Sequence, residues 1–228
     1  MDNQEIGVTE IQYKTAENIF YVNSLIGYIS IKEIAVNYNR NSFLCERGCK
    51  NFARKYSCPP FSSSFDLLIA GKQYLVVNVI KVNTRQQIHI YNTIRMANVV
   101  AKSIQKKAFD FIDEKCQNKE PILENGSCRL CKKCNLVSKL PCRHPEKMRP
   151  SLEATGIDVN DLVIKIFGFE LQWYRKSKFP DYQCTVCGII TNNPDSIIKE
   201  LSDYFVNTFT KSKKELQPSH QEKELCFL

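Results

Sequence analysis

The stretch Ser127-Cys128-Arg-Leu-Cys131-Lys-Lys-Cys134, followed after seven residues by Cys142, is the segment around which the rest of the chain is organised. Three cysteines spaced two residues apart present their thiolates from one tight loop, and a fourth thiolate nearby can complete the coordination shell of a metal centre. We therefore predict that Cys128, Cys131, Cys134 and Cys142 bind metal. The remainder of the chain is expected to fold so as to hold this loop.

Two kinds of metal centre are compatible with these cysteines. The Cys-x2-Cys-x2-Cys spacing is that of ferredoxin-type loops that wrap an iron–sulfur cluster, although Ser138 stands where bacterial ferredoxins have their next cysteine. Zinc held by four thiolates is the alternative, but it needs only two cysteine pairs and leaves the even spacing unexplained. We favour [4Fe–4S] clusters, one or two per chain, over zinc.

A second set of cysteines, Cys45, Cys49 and Cys58, lies earlier in the chain. Two prolines follow Cys58 and can continue neither a helix nor a strand ladder, so this thiol is expected on a rigid turn. The three thiolates could leave one iron of a cluster open to substrate, which favours catalysis. Alternatively they could take a fourth ligand, which favours electron transfer. The candidate fourth ligands are Cys116, His144, Cys184 and Cys187. We call Cys45, Cys49 and Cys58 the first cysteine group, and Cys128, Cys131, Cys134 and Cys142 the second.

The remaining cysteines have weaker signals. Cys184 and Cys187 belong to a predicted strand, where positions three apart point to opposite faces, so they are expected to pack in the core rather than share one metal. Cys226 is interpreted as a free thiol of the terminal tail.

Composition favours a cytoplasmic metal or redox protein. Eleven cysteines without a recognisable export signal point to metal ligation or redox chemistry, because structural disulfides are rare in the cytosol. No apolar run approaches the ~20 residues needed to cross a membrane. The net charge of +8 suits a redox partner protein or a small anionic substrate, whereas charge alone does not support nucleic-acid binding.

Periodicity predicts interleaved strands and helices. Strands are expected at Ile29 to Val36, at Tyr74 to Val82 and at Tyr182 to Thr191, the second covered on both faces. Helices are expected at Phe65 to Ala70, at Ile90 to Lys115, from Asp158 to Gly168, and from Asn193-Pro194 onward. This order predicts an α/β (α+β) single domain with a central mixed β-sheet flanked by helices and cysteine-rich loops.

The chain divides into three parts on this interpretation. Residues 1–26 form an N-terminal extension, residues 27–210 the cysteine-rich iron–sulfur domain, and residues 211–228 a polar and basic tail.

Several motifs together resemble a known family. They are Cys45-x3-Cys49, Tyr56-Ser-Cys58-Pro-Pro60, Gly126-Ser-Cys128-Arg-Leu-Cys131-Lys-Lys-Cys134, Cys142-Arg-His-Pro-Glu146, Arg149-Pro-Ser-Leu-Glu-Ala154 and Gly156-Ile-Asp-Val159. They resemble an uncharacterised cysteine-rich family of predicted metal-binding proteins, a domain of unknown function, over roughly Ile31 to Ile190. The resemblance implies a metal site formed by the seven cysteines of both groups, with one or two iron–sulfur clusters, and implies no particular reaction. Cys184 and Cys187 depart from the family pattern.

Three functions follow as hypotheses. The first is an iron–sulfur protein in redox chemistry or electron transfer. The second is an enzyme of non-redox or sulfur-transfer type that uses an open cluster iron on a small anionic substrate. The third is a zinc-stabilised binding module. The glycine-rich nucleotide motifs of familiar enzymes are missing from the sequence, which disfavours a nucleotide-dependent activity.

Overall fold

The computed structural model describes residues 6–16, 18–85, 92–116, 120–173 and 179–210. A five-stranded sheet forms its centre, in the order β1-β2-β3-β5-β4. Its strands are Gly7–Lys14 (β1), Ile19–Ser30 (β2), Tyr74–Asn83 (β3), Ile122–Leu123 (β4) and Tyr182–Thr191 (β5). The predicted α/β (α+β) domain with a central sheet is confirmed, but neighbouring strands are antiparallel throughout these ranges, where a mixed sheet was expected.

Helices cover both faces of this sheet. They are Tyr38–Gly48 (α1), Phe65–Leu68 (α2), Thr93–Lys115 (α3), Val159–Phe167 (α4) and Pro194–Phe205 (α5). Strand β3 shows the consequence most directly, because Val76 and Ile80 pack on the side of α3 and α5, whereas Leu75, Val77 and Val79 pack on the side of α4. The predicted two-sided burial of this strand is therefore confirmed.

The predicted helix starts and stops agree closely with the structure. The Asp158 carboxylate accepts a hydrogen bond from the backbone N–H of Asp161 at 3.2 Å, which caps α4, and Gly168 ends that helix with φ of 72°. Pro194 occupies the first turn of α5, which buries Ile197, Leu201 and Phe205. Ile90, predicted at the start of the long helix, lies outside the described residues, and α3 begins at Thr93.

The predicted strand from Ile29 to Val36 is wrong. Strand β2 ends at Ser30, and a short 3-10 helix, Ile31–Glu33, follows. The aliphatic residues that suggested a strand instead pack from a loop against the α4 side of the core. Val36 makes an isolated bridge with Ile157, which brings the chain beside the segment before α4.

The first 26 residues contribute to the sheet, although the sequence sets them apart as an extension. Strand β1 and most of β2 lie there, and Ile11, Phe20 and Val22 are buried in the core. The polar tail of residues 211–228 lies outside the described residues. Among the helices within the described ranges, none has the length and apolar character to cross a membrane.

Candidate metal centre

Helix α1 carries two members of the first cysteine group. Cys45 lies in its last turn, and Cys49 follows its end, with the Cys49 N–H donating to the Cys45 carbonyl oxygen at 2.8 Å. Asn37 caps the N-terminal end of α1, where its side-chain oxygen accepts a hydrogen bond from the Arg40 N–H at 2.9 Å. The first group therefore depends on how α1 is anchored.

The segment before α4 anchors α1. The Asn37 N–H donates to the Gly156 carbonyl oxygen at 2.7 Å, and the Asn41 side chain donates to the Ile157 carbonyl oxygen at 2.9 Å. Arg40 adds an ion pair with Asp158 at 3.0 Å. Gly156 has φ of +101°, and a Cβ there would approach the Tyr38 backbone to 2.8 Å, so this close contact requires glycine.

Cys58 lies on a turn, as its two prolines predict, and this turn is hydrogen-bonded to the start of α1. The N–H groups of Phe61 and Ser62 both donate to the Cys58 carbonyl oxygen, at 2.9 and 3.0 Å. The Ser62 carbonyl oxygen in turn accepts from the Tyr38 hydroxyl at 3.1 Å, which joins the turn to the start of α1. The Cys58 side chain is only 6% exposed, whereas Cys49 is exposed and Cys45 is half-buried.

The thiols of the first group influence one another. Burial raises the pKa of Cys45, and the charges of Cys49, Glu153 and Cys58 raise it further. Burial also raises the pKa of Cys58, where a hydrogen bond with Ser57 opposes the increase and Cys49 adds to it. The Cys45 and Cys58 thiols therefore stay protonated at neutral pH unless a metal displaces the proton, so metal binding by these two thiols should strengthen as pH rises.

The second cysteine group occupies a loop that follows β4. A 3-10 helix, Asn135–Ser138, begins immediately after Cys134, and Lys139 reverses the chain with φ of 56°. The Asn135 side chain donates to the Pro141 carbonyl oxygen at 2.9 Å across this reversal, which returns Cys142 toward Cys134. A hydrogen bond inside the loop therefore explains how seven intervening residues bring the fourth cysteine back.

All four cysteines of the second group line one concavity of about 350 Å³, which we call the cysteine pocket. The other residues lining it are Lys55, Tyr56, Ser57, Leu130, His144 and Met148. The structure thus brings Cys128, Cys131, Cys134 and Cys142 together around one space, with His144 beside them. Their thiols are free, and soft thiolate donors of this number suit an iron–sulfur cluster or zinc.

Three consecutive residues before Cys58 join the two cysteine groups. The Lys55 ammonium donates to the Cys128 carbonyl oxygen at 2.7 Å, and the Tyr56 hydroxyl donates to the Leu140 carbonyl oxygen at 2.9 Å. The Ser57 hydroxyl accepts from the Cys128 N–H at 3.0 Å. The first group's turn therefore forms one wall of the cysteine pocket.

Sequence reasoning did not assign Tyr56 and Ser57 a role of their own. Tyr56 and Ser57 belong to the motif around Cys58-Pro-Pro, but their partners lie at least 71 positions further along the chain. The signal that could have identified them is their position beside a buried cysteine on a rigid turn. Arg149, which belongs to the motif that follows Cys142, pairs with Asp113 and, at 3.3 Å, with Glu124.

The other candidate fourth ligands differ in their surroundings. Cys187 packs on the α3 side of the sheet and Cys184 on the α4 side, as predicted from their spacing. Burial raises the pKa of Cys184 to about 12 and that of Cys187 well above its ordinary value. Cys116 caps the end of α3, where the charges of Glu120, Asp113 and Glu200 act on its thiol. Cys226 lies outside the described residues.

The side chains do not form a finished site for a single ion. Within the part of the chain that the structure describes, no three His, Cys, Asp or Glu side chains are arranged to hold one metal ion.

Comparison with known families agrees with the motifs. Residues 27–191, more than two thirds of the chain, match the family model described as predicted metal-binding protein (DUF2284). The match starts within β2 and ends with β5, so it includes both cysteine groups and the segment that anchors α1. Neither the curated proteins nor the solved structures compared with the chain gave a significant match. The chain therefore belongs to the DUF2284 family of predicted metal-binding proteins.

Proposed function

We propose that this protein binds one or two iron–sulfur clusters of the [4Fe–4S] type through its first and second cysteine groups and acts in redox chemistry or electron transfer. The observation that carries the proposal is the cysteine pocket, where four free thiols line one concavity whose wall is the turn that holds Cys58. A cluster bound by these thiolates would supply one-electron chemistry at a potential set by burial, hydrogen bonds and nearby charge.

The chain's own residues suit that use in three ways. Leu130 and Met148 contribute apolar surface to the cysteine pocket and reduce its contact with water. The Lys55 ammonium sits against the Cys128 backbone, where its charge would stabilise an anionic metal centre. Free thiols in both groups also fit the cytoplasmic setting that we propose, in which thiols stay reduced.

The surface of the second cysteine loop supports a redox partner protein. Leu130, Val137 and Leu140 are about half exposed around the loop. Exposed basic side chains belong to the same loop: Lys132, Lys133, Lys139 and Arg143. A loop that exposes both apolar and basic side chains suits transient docking of a partner that carries acidic residues near its own redox centre.

A basic cleft beside the cysteine loop favours a second candidate function, an enzyme of non-redox or sulfur-transfer type acting on a small anionic substrate. The cleft encloses about 300 Å³ between α3 and the segment after β4, and Lys102, Lys106 and Arg129 line it. Lys106 pairs with Asp110, and Arg129 lies 3.9 Å from Glu124, but Lys102 has no ion-pair partner among the described residues. Inorganic phosphate should raise the melting temperature of the wild-type protein, and Lys106→Met should reduce that rise.

Metal analysis of cysteine variants tests the principal proposal. Protein purified without oxygen should contain iron and acid-labile sulfide, and Cys131→Ala should lose at least half of both. Cys116→Ala is the matched control, because Cys116 lies at the end of α3 and outside both cysteine groups, and it should retain the wild-type content. Unchanged iron in Cys131→Ala, or zinc without sulfide in the wild-type protein, would contradict the proposal.

A further inference from the structure

We propose that Cys128 is the missing fourth ligand of the first cysteine group, so that Cys45, Cys49, Cys58 and Cys128 together hold one metal centre. The inference rests on the proposed function, because it allocates the cysteines that would bind the cluster. It separates Cys128 from Cys131 and Cys134, although the three are evenly spaced in the sequence. In two-cluster ferredoxins, one cysteine of a run likewise binds the other cluster.

Hydrogen bonds place Cys128 beside Cys58. The Ser57 hydroxyl accepts from the Cys128 N–H at 3.0 Å and lies 3.9 Å from the Cys58 sulfur, so one side chain contacts both residues. Ser57 is only 1% exposed, and this contact is therefore shielded from water. Lys55 fixes the other side of the Cys128 backbone by donating to its carbonyl oxygen at 2.7 Å. Both backbone groups of Cys128 are thus held by the turn that carries Cys58.

Cys184 and Cys187 belong instead to β5. Cys184 and Cys187 also face opposite sides of the sheet. Both side chains therefore pack in the hydrophobic core rather than with the first cysteine group.

Cations next to both cysteine groups act on one side chain of α3. Lys50 and Arg129 directly follow Cys49 and Cys128 in the chain, and both charges act on the half-buried Lys102 of α3. Lys102 forms no ion pair among the described residues. Glu124, 3.9 Å from Arg129, offsets part of this positive charge, and an anionic centre held by four thiolates would offset more of it.

The allocation leaves Cys131, Cys134 and Cys142 for a second centre. His144 lines the cysteine pocket with these three thiols and is the protein side chain placed to join them. A second centre held by three thiolates and one imidazole would have a higher reduction potential than one held by four thiolates, because a neutral ligand replaces an anionic one.

Protection of individual thiols tests the allocation without any activity assay. The full-length, metal-loaded protein is treated with N-ethylmaleimide without oxygen, and each cysteine is located by peptide mass spectrometry. In Cys49→Ala, whose altered side chain is exposed and should not disturb folding, Cys128 should become labelled while Cys131, Cys134 and Cys142 stay protected. In Cys131→Ala, Cys134 and Cys142 should become labelled while Cys128 stays protected.

The opposite pattern would overturn the inference: Cys128 stays protected in Cys49→Ala and becomes labelled in Cys131→Ala. Metal content of the wild-type protein distinguishes this failure from failure of the proposed function. Iron and sulfide with the opposite labelling pattern refute only the allocation, whereas a protein without bound metal refutes both. Circular dichroism of each variant confirms that labelling reports metal loss rather than unfolding.

Discussion

The backbone N–H of Cys128 donates a hydrogen bond to the buried hydroxyl of Ser57 at 3.0 Å. This contact joins two cysteine segments that are 71 positions apart in the chain, and Ser57 precedes Cys58 directly. A change at one segment is therefore expected to affect metal held by the other.

Replacing Ser57 with alanine should weaken both the fold and metal retention. Ser57→Ala leaves the Cys128 N–H without its partner, which should lower the free energy of unfolding by about 1–3 kcal/mol. Iron should also be lost faster to a chelator. Urea denaturation and the rate of iron release measure the two effects. Ser138→Ala, an exposed change in the second cysteine loop, is the control and should match the wild type; equal iron release from both variants would contradict this role of Ser57.

Glycine at position 156 should be required for the first cysteine group. Gly156→Ala places a Cβ 2.8 Å from the Tyr38 backbone as well as straining φ, so it should displace α1 and cost several kcal/mol. Gly168→Ala is the control, because its φ of +72° is also unfavourable but its Cβ meets nothing within 4 Å. We expect a loss of about 1 kcal/mol there. Thermal unfolding and iron content should both separate the two variants, and similar losses would show that the contact with Tyr38 is unimportant.

The buried thiol of Cys184 should make the protein sensitive to alkaline pH. Burial raises its pKa to about 12 in the folded state, from 9.0 when unperturbed. Below pH 9 the Cys184 thiol is protonated in both the folded and the unfolded state, so its ionisation costs no stability. As pH rises from 9 toward 12, the thiol ionises in the unfolded state first, which favours unfolding. Urea midpoints at pH 8 and pH 10 should therefore fall further for the wild type than for Cys184→Ala. An equal fall in both proteins would show that this thiol does not contribute.

Lys102 should influence the reduction potential of the metal centre. Lys102→Met removes a half-buried cation and should lower the potential on the order of tens of millivolts, because less positive charge then stabilises the reduced form. Lys107→Met, an exposed change on the same helix, is the control. Redox titration followed by EPR measures both. If Lys102→Met leaves the potential unchanged but abolishes the rise in melting temperature caused by phosphate, Lys102 instead binds an anionic substrate in the basic cleft.

Local signals in the sequence predicted the parts of the fold that depend on nearby residues. Asp158 and Gly168 bound α4 as expected, because a cap and a left-handed terminus act within one turn of the helix. Strand β1 carries a weak signal in the sequence because it is an edge strand whose inward face, Thr9, Ile11 and Tyr13, contains only one aliphatic side chain. The strand predicted from Ile29 to Val36 is wrong beyond Ser30 because an aliphatic run can pack against the core without pairing in a sheet.

Sequence spacing predicted that the cysteines of the second group lie together, but not how that group contacts the first. Cysteine spacing is a local property, and the second group does converge on one pocket. The contact of Ser57 with Cys128 is tertiary, so spacing could not reveal that the two groups share a wall. The same limit explains Arg149, which lies near the cysteines in sequence but pairs with Asp113 of α3 and Glu124.

Iron, acid-labile sulfide and zinc content of the full-length protein, purified without oxygen, distinguishes an iron–sulfur protein from a zinc protein. We expect iron and sulfide in equal amounts, with about four of each for every cluster, and a visible absorption band that dithionite bleaches. Zinc bound in place of iron, without sulfide and without colour, would contradict this expectation.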